Sequence, residues 1–487
     1  MSELDELIPK LDYKNVLRFF AQLSGVPRGS GHNEKISDFL VQFARERGLE
    51  YVQDEAKNVL IRKPASEGCG ERPPVILQGH MDMVCVADEG VRHDFEHEGL
   101  ELFAEGDMLG ARGTTLGGDD GIAVAYGMAL LADDTLRHPP LEILITTDEE
   151  TGMYGAKALD ASILKGRRLI NVDSEDEGVV LVSCAGGLRV NASLPAQRIT
   201  AEGTLLKIEL GGLAGGHSGA EIHRYHVNAV YELARLLFDL RKSFDFLLVE
   251  MSGGEKDNAI PNASCASLLL HADQADAVKN GLLSVFEEHQ RELSGREPDL
   301  KLSVTVSGSA PVQALSPVSF EKLMFALMQA PDGVQMMSRD IDGLVESSLN
   351  LGIFRLSEGD AAADFRFSVR SSVSSYRHYL SDKLVYLFEF LGGEAVCDSE
   401  YPAWEYRKNS PLRDRFVEVF ENFYGKKPEI QAIHAGLECG LICEKLPEMD
   451  IVSIGPDMKD IHTPRERLSI SSSLRVYRFL EKLLEVL

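Results

Sequence analysis

Residues 144–151 read Leu-Ile-Thr-Thr-Asp-Glu-Glu-Thr and set three carboxylates, Asp148, Glu149 and Glu150, directly after the apolar run 141–145. Three adjacent negative charges repel, and taking them out of water costs several kcal/mol unless something positive is close. The run is therefore either a solvated turn or one wall of a cation site. Four further stretches have the same form, a polar group where an apolar run ends: Gln78-Gly79-His80-Met81-Asp82, Gly117-Gly118-Asp119-Asp120-Gly121, Asn171-Val172-Asp173-Ser174 and Ile461-His462-Thr463-Pro464. Each alone has a bland reading. His80 and Asp82 would make an ordinary surface pair, and one aspartate of 119–120 would simply cap the helix that follows. A cap explains one acid well and two poorly, and the flanking glycines point to an unusual backbone or a close approach. Together the stretches supply two histidines and at least three carboxylates, a nitrogen–oxygen donor set without thiolate that suits hard and borderline divalent metals. Two metals sharing a carboxylate and a water make a hydrolytic site. A neighbouring carboxylate that binds no metal would serve it as general base.

Such groups need a scaffold that gathers strand ends. Helix signals over 13–22 and 33–47, strand signals over 59–61 and 75–78, a helix over 120–132 and strands over 141–147 and 169–172 alternate through the first 185 residues. The strand cores are continuously apolar, as strands buried on both faces of an α/β sheet are, and ligand groups in open α/β sheets gather at the carboxyl ends of strands. From about residue 187 amphipathic strands (205–210, 266–272, 302–306, 348–354, 365–369) alternate with long helices (226–240, 274–293, 319–330), an α+β pattern. The α/β character returns after 401, with helices over 412–424 and 471–487 and strands over 429–433 and 451–454. The pattern predicts an α/β domain built from 1–186 and 401–487 and interrupted by an inserted α+β domain over 187–400, with no internal repeat and no low-complexity segment.

The 487 residues exceed one ordinary core, and 44% hydrophobic with 26% charged residues is a globular balance. A net charge of −27 argues against a nucleic-acid partner, which needs a basic footprint. No uncharged stretch approaches the roughly 18–20 residues of a membrane span, and the N-terminal heptapeptide has neither the basic nor the apolar region of a signal peptide. Seven scattered cysteines suggest reduced thiols in a cytoplasmic compartment. Cys439 and Cys443, spaced C-x3-C without a second pair nearby, read as buried small residues rather than a zinc site.

The five polar clusters, in this order, resemble the dinuclear zinc M20 peptidase family over nearly the whole chain. Ala111–Leu116, Cys184–Gly187, Gly215-Gly216-His217-Ser218-Gly219, Asn258–Pro261 and Ile433–Gly440 narrow the resemblance to its aminoacyl-histidine dipeptidase branch. The resemblance implies an α/β catalytic domain with a mostly parallel sheet and flanking helices, and it makes the inserted domain a lid through which a homodimer forms. It implies two Zn2+ per subunit, which Co2+ or Mn2+ would replace. Asp119 would bridge them, with His80 and Asp173 completing one ligand set and Glu150 and His462 the other. Glu149 would be the general base and Asp82 the residue orienting His80, with a cis peptide between Asp119 and Asp120. His217 would help to hold the oxyanion, in cis or from a neighbouring subunit, and Asn258 and Arg370 would hold the substrate's terminal carboxylate. Asp120 stands where the branch commonly has Asn. Asp148 is expected to be a solvated or supporting acid, and no role follows for His434 or Glu438. The expected activity is hydrolysis of small peptides in the cytoplasm, Xaa-His dipeptides including β-alanyl-histidine. A tripeptidase, a broad dipeptidase or an N-acyl-amino-acid deacylase with the same metal set is the alternative, and a degenerate binding protein is disfavoured because the base and every expected ligand are present.

Overall fold

The computed structural model describes residues 12–487; the N-terminal heptapeptide lies outside them. The chain forms two compact units. One comprises 12–183 with Tyr406–Ala432 and Leu437–Leu487, the other Cys184–Glu405 with Ile433–Gly436.

The first unit is organised by an eight-stranded sheet. At its centre lie β1 (Val75–His80), β2 (Leu141–Thr146) and β3 (Arg168–Asn171), with β1 pairing in parallel to both others and Asp450–Ser453 extending the parallel run beyond β3. The margins are antiparallel: Val59–Lys63 pairs with β2 and Glu50–Gln53 with Val59–Lys63. Parallel pairing thus joins the four central strands, and Asp450–Ser453 meets Val179–Cys184 antiparallel. Every residue of β1 and β2 is buried, which accounts for their unbroken apolar runs. The helix α1 (Gly118–Ala132) is buried along almost its whole length, and it opens with two non-helical residues, Asp119 and Asp120. A small antiparallel sheet of Leu102–Glu105, Met108–Ala111, Met458–Lys459 and Arg467–Ser469 was not foreseen; it carries the chain on either side of His462.

The second unit holds a repeat that the sequence conceals, contrary to expectation. Its long strands are β4 (Gly186–Pro195), β5 (Arg198–Gly211), β6 (Leu247–Gly253), β7 (Ser264–Leu270), β8 (Lys301–Leu315), β9 (Val345–Leu356), β10 (Ala362–Ser371) and β11 (Glu394–Tyr401), and the short strand Gly333–Met337 pairs with β9. Its long helices are α2 (Ala229–Arg241), α3 (Ala275–Leu293), α4 (Pro317–Gln329) and α5 (Ser374–Phe390). The run β5-α2-β6-β7-α3-β8 is one βαββαβ motif, with strand order β8-β5-β7-β6. The run β4-α4-β9-β10-α5-β11 is a second, with the matching order β11-β4-β10-β9. The first motif is nested inside the second, between β4 and α4. The two join edge to edge where Met251, Ser252 and Gly253 of β6 pair antiparallel with Leu356, Arg355 and Phe354 of β9. One hydrophobic core runs beneath both, from Leu206 and Ile208 through Leu233, Leu237, Leu323 and Leu327 to Phe354, Phe365 and Phe388. Helix α5 escaped the sequence reading because Tyr386 and Phe390, 72% and 74% exposed, put large apolar groups on its outer face and blur the helical period.

Candidate metal centre and active site

The five polar clusters of the first unit converge at the carboxyl ends of the parallel strands. His80 is the last residue of β1, Glu149 and Glu150 follow β2, and Asp173 follows β3. Asp119 comes from the start of α1, through a cis peptide to Asp120, and His462 from a loop in which its backbone is left-handed, with φ 61°. Two donor triads result, His80–Asp119–Asp173 and Asp119–Glu150–His462, each with its ligand atoms within 4.8 Å of one another. Asp119 belongs to both. Its Oδ1 lies 3.2 Å from His80 Nε2 and its Oδ2 3.3 Å from His462 Nε2. Asp173 Oδ1 is 3.8 Å from His80 Nε2, and Glu150 Oε1 is 2.9 Å from His462 Nε2.

The electrostatics state what the cluster lacks. Burial alone would lower the His80 imidazole, yet Asp119, Asp82 and Asp173 hold it well above its ordinary value. Asp119 and Glu150 push His462 up to about 10. Burial drives the Asp173 carboxyl well above the usual range, and it carries Glu149 up to about 8. Imidazoles that cling to a proton beside carboxyls that resist losing theirs mark a site short of positive charge. Divalent cations held by these nitrogen and oxygen donors fit that deficit, whereas a solvated turn does not.

Asp82, fully buried, joins the two halves of the site. His80 Nδ1 lies 3.1 Å from its backbone carbonyl and 3.4 Å from its Oδ1, and its carboxylate accepts from Ser30 Oγ at 2.7 Å and from the backbone N–H of Glu149 at 3.1 Å. The carbonyl contact places the Nδ1 proton toward Asp82 and leaves Nε2 for a metal. Asp148 turns away: its Oδ1 accepts from Gly31 N and Asn33 Nδ2, both at 2.6 Å, so it anchors the acidic turn rather than serving as a ligand. Asp120 accepts the His80 N–H at 3.1 Å, and burial pushes its carboxyl well above the ordinary value. Gly79 makes this approach possible, because a Cβ there would stand 2.4 Å from Asp120 Oδ2.

Two supporting residues escaped the sequence reading. Glu466, 2% exposed, accepts the N–H groups of Leu116 and Gly117 on Oε2 at 2.8 and 2.9 Å, and those of Gly118 and Asp119 on Oε1 at 2.7 and 3.4 Å. The Arg28 guanidinium, 3% exposed, donates to the carbonyls of Met81 and Gly117. The carboxylate and the guanidinium together clamp the turn that presents Asp119. The signal for them was the glycine pair: at Gly117 (φ 65°) a Cβ would meet Arg28 Nη2, and at Gly118 it would meet Glu466 Oε1.

His217, Asn258 and Arg370 lie together in the second unit. His217 pairs with Ala259 in a two-stranded ladder, and Ser218 N donates to the Asn258 carbonyl at 2.9 Å. A Cβ on Gly219 would meet His217 Cε1 at 3.0 Å and Arg370 Cζ at 3.2 Å. His217 Nδ1 accepts from Gly219 N and Ala220 N at 3.1 and 3.0 Å, so the ring proton sits on Nε2, free to donate. Burial and the Arg370 charge lower the His217 pKa and keep the ring neutral. Arg370 Nη1 donates to Tyr401 OH at 3.0 Å, and its buried Nε has no partner. His434, which burial lowers to about 3, is held through Nε2 by Ser348 Oγ at 2.7 Å. Cys439 and Cys443 sit on α6 (Glu438–Lys445), and neither joins a metal-competent group among the described residues.

Residues 76–486 match the description of peptidase family M20/M25/M40. The chain is 37% identical to the cytosol non-specific dipeptidase of Escherichia coli, over 100% of its own length and 99% of the relative's. The crystal structure of an aminoacylhistidine dipeptidase from Vibrio alginolyticus superposes with a TM-score of 0.94 at 35% identity, covering 100% of this chain and 99% of that one. A tripeptidase from Staphylococcus aureus shares the fold at a TM-score of 0.59 and 15% identity, over 98% and 99% of the two chains.

Proposed function

The chain belongs to peptidase family M20/M25/M40, and on that premise we propose that it is a metal-dependent dipeptidase whose preferred substrates are Xaa-His dipeptides, β-alanyl-histidine among them. The observation that carries the reading is Asp119, which turns one carboxylate oxygen toward each of two imidazoles at 3.2 and 3.3 Å. His80 and Asp173 would hold one zinc ion with it, and Glu150 and His462 a second; cobalt or manganese suits the same donors. Bound there, the cations would acidify a water and polarise the scissile carbonyl.

The chain's own residues do the remaining work. Glu149, beside a ligand but in neither triad, takes the proton of the attacking water on its carboxylate and passes it to the departing amine. Asp82 holds both the His80 ring and the Glu149 N–H, fixing the base relative to a ligand. In the second unit, the Nε2–H of His217 is a neutral donor suited to a carbonyl oxygen that gains charge. The unpaired nitrogen of Arg370 suits a substrate carboxylate, as does an amide such as that of Asn258. The names of the two closely similar relatives support a dipeptidase, one non-specific and one acting on aminoacyl-histidine.

The same reading places the protein in the cytoplasm as a homodimer formed through the second unit. No helix among the described residues is long and apolar enough to cross a membrane, and the Escherichia coli relative is named for the cytosol. The test is hydrolysis of β-alanyl-histidine and other Xaa-His dipeptides beside Gly-Gly-Gly and N-acetyl amino acids, with chelation and metal restoration. Cleavage of Xaa-His dipeptides, lost to chelator and restored by zinc, is expected. Faster cleavage of tripeptides or N-acetyl amino acids, or activity indifferent to chelator, overturns the reading.

A further inference from the structure

Glu438 opens α6 in the first unit and is 0% exposed. Its Oε2 accepts from Gln78 Nε2 and from Thr146 Oγ1, both at 2.6 Å. Gln78 Oε1 in turn accepts from Asn171 Nδ2 at 2.7 Å. Gln78, Thr146 and Asn171 are themselves 0% exposed, and each stands two or three residues before a group of the candidate metal centre. Gln78 stands two residues before His80 on β1, Thr146 ends β2 just before Thr147 and the acidic turn, and Asn171 ends β3 two residues before Asp173. Residues two apart on a strand project to the same side. Gln78 therefore shares a side with His80, and the connected side chains Glu438, Gln78, Thr146 and Asn171 link the three strands that deliver the ligand groups.

The backbone ladder fixes the height of these strands, pairing Gln78 with both Leu144 and Asn171, but it leaves side-chain tilt free. Glu438 is the group on which that tilt converges, since two of the three strands hydrogen-bond one of its oxygens directly and the third does so through Gln78. Its other oxygen, Oε1, is buried without a partner. Both bonds that Glu438 accepts thus fall on a single oxygen, which an amide oxygen of the same reach can replace.

We propose that Glu438 is a positioning residue of the metal centre: by holding Gln78 and Thr146 it sets the spacing of His80, Asp173 and the Glu149–Glu150 turn. This rests on the metallopeptidase reading above, and its test does not need turnover. Metal-free protein is titrated with Zn2+ by calorimetry and with Co2+ by visible absorption, whose band positions report ligand geometry. Glu438→Ala is expected to weaken cation binding about 10- to 100-fold, as loss of groups supporting metal ligands does, and to shift the cobalt spectrum. Glu438→Gln, which keeps an acceptor toward both partners, is expected to restore both to within a few-fold of the parent. Thr146→Val removes one link without touching a ligand, and a smaller loss in the same direction is expected. It also carries the test if Glu438→Ala does not fold. A folded Glu438→Ala or Thr146→Val protein that binds cobalt as the parent does overturns the proposal. So does a Glu438→Gln protein as impaired as Glu438→Ala, because the group's charge and not its geometry would then be what matters. Failure of dipeptide hydrolysis with these metal results intact would count against the substrate reading alone.

Discussion

Replacing Glu466 by Gln changes one buried atom and, on this structure, loosens the turn that presents Asp119. Both carboxylate oxygens are occupied, Oε2 by the N–H groups of Leu116 and Gly117 and Oε1 by those of Gly118 and Asp119. An amide satisfies one pair and sets an NH2 against the other, so two buried N–H groups lose their acceptor. Each such group costs about 1–3 kcal/mol. The substitution also removes one of the anions, with Asp82 and Asp120, whose charge acts on the buried Arg28, although that guanidinium keeps its carbonyl partners, which caps the added cost. Two such groups together cost about 2–6 kcal/mol, with the Arg28 contribution small beside them. For a unit of this size that corresponds to a fall in melting temperature on the order of 10 °C. The assay is thermal and urea unfolding of the metal-free variant, followed by zinc titration below its melting point. Weakened binding of both zinc equivalents is expected, because Asp119 belongs to both donor triads. A loss of stability below about 1 kcal/mol, or normal binding of two cations, would refute the clamp.

Glu149→Ala should retain two metal equivalents while turnover falls about 10²- to 10⁴-fold, the usual worth of a general base; a variant with parental kcat removes Glu149 from that role. In the second unit, His289 lies between Glu232 at 2.7 Å and Asp239 at 3.0 Å. Burial acts to lower its pKa, but the two carboxylates outweigh burial and the nearby Arg235 charge, and they raise it above 6.5. A histidine raised in the folded state stabilises fully below its unfolded value and loses that contribution as pH climbs through the folded value. The stability difference between the parent and His289→Gln should therefore be largest below pH 6.5 and shrink above it. A difference that is flat with pH, or grows on the alkaline side, contradicts the assignment.

The candidate site was legible because its chemistry is written locally. Ligand groups in α/β folds gather where strands end, so His80, Asp119, Glu150, Asp173 and His462, each following or interrupting an apolar run, stood out as candidate donors, and the structure brings all five together. Arg28 and Glu466 were not legible for the opposite reason. Each is a single charge in an unremarkable context, and its meaning comes from backbone groups far away in the chain. Glu438 carries no role that the sequence shows, since its partners Gln78 and Thr146 stand on two strands far from it in the chain. The duplicated motif left no trace because a βαββαβ unit asks only for apolar alternation and turns, which unrelated sequences satisfy equally well. Asp120 illustrates the finer limit: its part as acceptor of the His80 N–H becomes visible only in the fold.

The nesting of one motif within the other also bears on how the chain is made. Strand β4 leaves the ribosome early, yet Asn191 pairs with Arg366 on one side and with Val396 on the other, both synthesised much later. The inner motif, 198–315, has all four of its strands in hand before the outer one has its second. During elongation β4 is thus a strand with two open edges and an apolar face bearing Leu188, Val190 and Leu194. Non-local pairing of this kind is slow, and an unpaired edge invites association with other chains. The segment from 186 to 195 is therefore one place where a nascent chain of this protein is exposed to aggregation, and where a chaperone that recognises extended apolar segments would find a target.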